Sequence, residues 1–242
     1  YFLPDWRYCN ISNVFDNSNY LELNKTYRSS PEIIEHVNKI LNLNLISAIR
    51  RNTKIPVIFR NKNNYKEQMI YDIKTLQKKC KSIAIITKTD TEANKIYKLL
   101  KPTLEDLILI SNGSNNFNRK LVVIPSYMSK GLEFDYVFVV GAEEGSFPLS
   151  RALENEDEIE EERRLMYVAV TRARKKLYIT RAKSRFLYGK RNYTVESRFL
   201  REMGYEDETS YKSSHFAKSN DEYPTTNYIK PNQPTPSIQT LL

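Results

Sequence analysis

Three separated stretches hold residue types suited to a phosphorylated ligand: Tyr27 with Arg28, Lys130-Gly131 with Glu133, and Arg172. Tyr27 and Arg28 fall in a loop between the alternating segment Tyr20-Leu21-Glu22-Leu23 and a helix opened by Pro31. Loops of this kind carry binding residues because a rigid scaffold presents them at the surface. Lys130-Gly131-Leu132-Glu133 follows a strand at Leu121-Val122-Val123-Ile124, and open α/β sheets place ligands beyond a strand end. Gly131 permits close backbone approach. A carboxylate such as Glu133 accepts hydrogen bonds from ribose hydroxyls. Arg172 stands at a helix-to-strand junction, where a fixed guanidinium can reach out of the scaffold. Each has a plainer reading: a capped loop, a tight turn, a solvated basic helix end.

The elements that must position these residues alternate along the chain. Ile159, Met166, Ala169, Val170 and Ala173 recur at helical spacing, in a segment led by acidic and closed by basic residues. The acidic run 154–162 reads as the solvated start of that helix. Leu177-Tyr178-Ile179-Thr180 then reads as a buried strand. Upstream, a helix carries Ile33, Ile34, Val37, Ile40 and Leu41 on one side, with Ser29 or Ser30 placed to cap it. His36 falls within it. Strands are expected at 57–59, 82–87, 107–110, 121–124 and 136–140. Helices are expected at about 65–80 and from Asp90 or Thr91 through Leu100, the latter with Ala93, Ile96, Tyr97 and Leu100 inside. The short apolar runs suit strands covered on both faces. The alternation predicts a layered α/β domain with a mostly parallel sheet.

Lys and Arg number 38 against 29 acidic residues, a net charge of +9, which favours a polyanionic partner, nucleic acid being the usual one. Apolar runs are too short to span a bilayer, so no membrane partner is expected. Cys9 and Cys80 lack metal-ligand spacing and read as free thiols in a reducing, cytoplasmic setting. His36 and His215 lie far apart, and neither a zinc site nor a Ser-His-Asp triad has support. From about Glu206 the pattern gives way to Ser, Thr, Asn and Pro. Residues 1–205 are therefore expected as one domain and 206–242 as a largely disordered tail.

The stretch Glu160-Glu161-Glu162-Arg163-Arg164-Leu165-Met166-Tyr167-Val168-Ala169-Val170-Thr171-Arg172-Ala173-Arg174 resembles the last motif of UvrD/Rep/PcrA-like superfamily 1 helicases. Tyr27-Arg28-Ser29-Ser30 resembles their fourth motif, and Lys130-Gly131-Leu132-Glu133-Phe134 the core of their fifth. The resemblance covers about residues 1–205 and implies the second RecA-like motor domain, of three-layer P-loop NTPase type. It implies that Tyr27 stacks on adenine, that Glu133 meets the ribose, and that Arg28 and Arg172 contact the γ-phosphate of ATP. Lys130 and Gly131 belong to the same implied ATP site. Trp6-Arg7 resembles the end of a motif whose aromatic stacks on single-stranded DNA, although Tyr8-Cys9 stands where Gly-Ala is usual. Ser126 and Tyr127 fall where the fifth motif approaches DNA. There the chain departs from the family, with Pro125 and Tyr127 in place of Thr and His.

No G-x-x-x-x-G-K-[ST] occurs, nor a recognisable acidic magnesium motif. The resemblance therefore implies ATP with Mg²⁺ held at a cleft shared with a first motor domain in cis, which would supply the metal ligands. This chain alone is expected to turn over no ATP. The extra subdomain that close relatives insert before the fifth motif has no room between Thr87 and Pro125. The implied whole is a DNA helicase or translocase moving 3′ to 5′ on single-stranded or partly duplex DNA, with repair proteins as further partners. Pro125 and Tyr127 also resemble HelD-like proteins that act on RNA polymerase. A non-catalytic nucleic-acid- or protein-binding module is the remaining alternative.

Overall fold

The structure is a computed structural model, and it describes residues 24–40, 46–50, 58–61, 65–111, 120–187 and 189–205. The expected strand at 20–23, Trp6, Arg7, Cys9, His215 and the tail 206–242 lie outside the described residues. The remaining cysteine, Cys80, is a free thiol.

The core is a six-stranded sheet in the order β3-β8-β7-β4-β6-β5, with every neighbouring pair parallel. Its strands are β3 (Ile58–Asn61), β4 (Ile83–Thr87), β5 (Ile108–Leu109), β6 (Leu121–Pro125), β7 (Phe134–Val140) and β8 (Ala173–Arg181). Every residue of β4, β6 and β7 is buried, as a sheet covered on both faces requires. Alternation then divides their side chains between two apolar layers. Ala84, Ile86, Val122, Ile124, Val137 and Val139 face a layer formed by α1 (Pro31–Ile40), α4 (Glu156–Val170) and α5 (Arg198–Glu202). Ile83, Ile85, Leu121, Val123, Tyr136 and Phe138 face α2 (Tyr65–Gln77) and α3 (Asp90–Leu100). This is the layered α/β arrangement with a parallel sheet that the alternation predicts, in the three layers that the resemblance implies. Phe138 and Tyr178 stack at 4.3 Å between centroids across β7 and β8. Among the described residues, no helix is long and apolar enough to cross a membrane.

Helix ends differ in detail from the sequence reading. α3 is capped by Thr89, whose side chain accepts from Glu92 N–H, rather than by Asp90 or Thr91. Ser30 takes the position before α1, its carbonyl accepting from the N–H groups of Ile33 and Ile34. Ser29 is drawn elsewhere, its hydroxyl donating to Ala173 O at 2.8 Å. α4 begins at Asn155, which caps Asp157 and Glu158 N–H, and ends at Val170 with no basic residue in its last turn. Ala173 and Arg174 are already strand. The acidic run is not uniformly solvated: Glu162 is buried and pairs with buried Lys88 at 2.8 Å. Two features were not foreseen. One is the parallel pair β1 (Lys25–Thr26) and β2 (Ser47–Ala48); the other is the hairpin β9 (Ser184–Leu187) and β10 (Lys190–Tyr193) beyond β8.

Candidate nucleotide site

Strand register brings the charged residues together. Phe134 opposes Ala173 across β7 and β8, and Phe134 N–H donates to Arg172 O at 3.0 Å. Glu133 and Arg172, each one residue before its strand, are therefore neighbours on the sheet's N-terminal edge. The loop carrying Tyr27 and Arg28 is fastened to that edge from two sides. Ser29 bonds Ala173 O, and Arg50 Nη1 donates to both Arg28 O at 2.9 Å and Arg174 O at 3.0 Å. Arg28 Nε then donates to Glu133 Oε1 at 2.6 Å, while Arg174 Nε lies 4.0 Å from Glu133 Oε2. Two guanidinium groups thus lie against one carboxylate, and the Arg172 guanidinium is near enough to feel both Arg28 and Glu133.

Arg172 is 6% exposed. The expectation of a side chain projecting outward is corrected by three bonds to its own chain. Its Nε donates to Val168 O at 2.9 Å, Nη1 to Leu132 O at 3.1 Å and Nη2 to Thr171 Oγ1 at 3.1 Å. A guanidinium carries five N–H donors, so two remain beyond these three. Burial, and next the nearby Arg28 guanidinium, push the Arg172 guanidinium below its ordinary range, against smaller opposing effects of Tyr167 and Glu133. An anion beside Arg28 and Arg172 would reverse that bias.

The other sequence-selected residues fall in two places. Tyr27 is 74% exposed. Lys130 is exposed beside Gly131, whose φ of +83° favours glycine and whose missing Cβ faces open space. Ser126 and Tyr127, however, follow β6 at the opposite, C-terminal edge of the sheet. The sequence-selected residues of the 126–133 connection are thereby split: it leaves one edge and delivers Glu133 to the other. Ser126 is buried, its hydroxyl donating to Lys88 O at 3.4 Å, so it offers no exposed side chain for DNA. Tyr127 is half-exposed and donates its hydroxyl to the Asp90 carboxylate at 2.9–3.0 Å.

Sequence reasoning missed Arg50 and Arg174. The Arg-Ala-Arg run at the strand start was a usable signal for Arg174, because it sets a second guanidinium two positions beyond Arg172. Nothing local marks Arg50, whose partners lie 22 and 124 residues away. Among the described residues, no three His, Cys, Asp or Glu side chains gather as a metal-holding group.

The sheet is parallel and covered on both faces, the sequence holds no P-loop, and arginines from separate segments meet at one edge. Residues 110–184 match the family described as UvrD-like helicase C-terminal domain, a span that includes Lys130, Glu133 and Arg172. The chain carries a UvrD-like helicase C-terminal domain, with relatives among the PcrA, Rep and UvrD helicases. It is 55% identical over 86 residues to an ATP-dependent DNA helicase PcrA of Leuconostoc citreum, covering 35% of this chain and 12% of that protein. It is 33% identical over 210 residues to an ATP-dependent DNA helicase Rep of Buchnera aphidicola, covering 80% of this chain and 32% of that protein. The chain therefore spans a third or less of the length of these relatives. In fold it is similar to the C-terminal domain of a possible DNA helicase from Lactobacillus plantarum, with a TM-score of 0.52 and 24% identity. That likeness covers 74% of this chain and 94% of the other.

Proposed function

We propose that residues 1–205 are the second motor domain of an ATP-dependent DNA helicase or translocase moving 3′ to 5′, with 206–242 a tail outside the motor. The observation that carries this reading is the convergence of Arg28, Glu133, Arg172 and Arg174 on one sheet edge. The residues fit a nucleoside triphosphate. An exposed Tyr27 ring suits adenine, Glu133 suits ribose hydroxyls, Lys130 and Gly131 line the approach, and Arg28 and Arg172 suit the γ-phosphate. Arg172 would act without rearrangement, since three bonds already fix it, and donors fixed in advance stabilise developing charge most effectively. Arg28 holds Glu133 through Nε alone and keeps its outer nitrogens for a phosphate. Mg²⁺, held by a first motor domain in cis, would neutralise the β- and γ-phosphate oxygens. The opposite edge, with Tyr127, together with Trp6 and Arg7, would form part of the single-stranded DNA track.

The test is steady-state ATPase of the full-length protein with saturating single-stranded DNA, alongside unwinding of a duplex with a 3′ tail. Arg28→Ala should lower turnover by about 10³-fold or more, as loss of a γ-phosphate arginine does. Tyr127→Ala should raise the DNA concentration needed while sparing the KM for ATP. Normal turnover in a folded Arg28→Ala protein would remove the nucleotide assignment.

A further inference from the structure

A second charged surface lies on the same N-terminal edge of the sheet, at the approaches to β4 and β6. There the end of α2, the turn after it and the residue before β6 enclose a concavity of about 1070 Å³. Its walls carry Lys74, Lys78, Lys79, Lys81 and Lys120, with Tyr71 among them. The acidic residue in that lining is Asp106. Lysines at a helix C-terminus complement its macrodipole, which accounts for Lys74, Lys78 and Lys79. It does not account for Lys81 and Lys120, which come from the approaches to two different strands. Among the described residues, the ammonium groups of Lys74, Lys78, Lys79 and Lys81 make no ion pair. Tyr71 is 67% exposed, a flat ring beside the clustered positive charge.

We propose that this concavity binds the backbone of single-stranded nucleic acid, with Tyr71 receiving an unpaired base. It extends the nucleic-acid reading given above and rests on it, but uses a surface separate from Tyr127 and from the Arg28–Glu133 cluster. A groove of lysines that tracks phosphates, with an aromatic ring for stacking, is the general build of a strand-binding site without sequence preference. An acidic protein segment would use the lysines but leave the exposed ring without a role.

The experiment is fluorescence anisotropy of the 242-residue chain with a fluorescein-labelled dT20, between 50 and 300 mM KCl. On single strands each neutralised phosphate contributes about 0.7 to the slope of log K against log salt. Replacing Lys74, Lys78, Lys79 and Lys81 by Gln should therefore lower that slope by about 3. The same loss of charge at Lys66, Lys95, Lys98 and Arg151 should change it by less than about 1. Tyr71→Ala should weaken binding about 5- to 100-fold with the slope unchanged. Circular-dichroism melts confirm that each variant is folded. An equal fall in slope for both sets of four overturns the proposal, because bulk charge then explains it. A neutral Tyr71→Ala together with poly-glutamate competing as well as dT20 also overturns it, in favour of an acidic protein partner. If Tyr127→Ala weakens binding while the lysine variant does not, this inference falls and the reading of the C-terminal edge stands. The reverse result supports the lysine site and removes the Tyr127 track.

Discussion

Replacing Arg172 by Ala should damage the fold as well as the chemistry, and the two losses can be separated. The side chain is buried and donates to Val168 O, Leu132 O and Thr171 Oγ1. Removing it leaves two backbone carbonyls without that partner. Water can enter from the side of half-exposed Arg28 and Glu133, so a net loss of roughly 1 kcal/mol per bond is appropriate, about 3 kcal/mol in all. Relief of repulsion from Arg28 works in the other direction and makes this an upper value. For a chain of this size, each kcal/mol moves the melting temperature by about 2–4 °C, so a fall of about 6–12 °C is expected. Arg172→Lys keeps the charge but cannot offer a planar fork to three acceptors, and should lose about half as much. Thermal melting and urea titration of the 242-residue chain measure this directly. In the full-length protein, turnover per folded molecule should fall by about 10³–10⁵ for Arg172→Ala. A melting temperature unchanged within a degree would refute the inward bonding of Arg172. Near-normal turnover of the folded fraction would leave Arg172 a structural residue only.

Two further outcomes follow from buried and half-buried charge. Glu162→Ala should cost about 3–5 kcal/mol in urea titration, because it strands the buried Lys88 ammonium under the Phe147 ring. Lys88→Met/Glu162→Leu should recover most of that loss, and a single variant within about 1 kcal/mol of the parent would show that the pair is solvated. Asp135 is pushed up by burial, but Lys81 N–H and the Lys175 ammonium outweigh this and hold its carboxyl below the ordinary range. Its contribution is therefore present above about pH 4, the unfolded value, and is lost as acidification passes the folded value. Asp135→Asn should flatten the acid side of the stability curve. An unchanged curve from pH 5 to pH 2, followed by urea midpoints, would contradict that assignment.

The alternation of short apolar runs with 3.6-period segments specified the layered fold, because a strand covered on both faces must be apolar throughout. β4, β6 and β7 are buried at every position, and the exceptions to apolarity stand near strand ends: Thr87 closes β4 and Asp135 is the second residue of β7. The motifs likewise selected Arg28, Glu133 and Arg172, which the fold does bring to one edge. What a linear reading could not supply was direction. In sequence, Lys130, Gly131 and Glu133 read as sitting beyond the end of β6 together with Ser126 and Tyr127. In a parallel sheet, a connection must return the length of a strand before the next one starts, so its two ends serve opposite edges. The burial of Arg172 was illegible for a related reason. Its acceptors are carbonyls of Val168 and Leu132, and a backbone oxygen 40 residues away leaves no mark on the sequence around an arginine. The same holds for Lys88 and Glu162: a run of acids reads as solvated until packing α4 against the sheet turns one of them inward to a buried lysine.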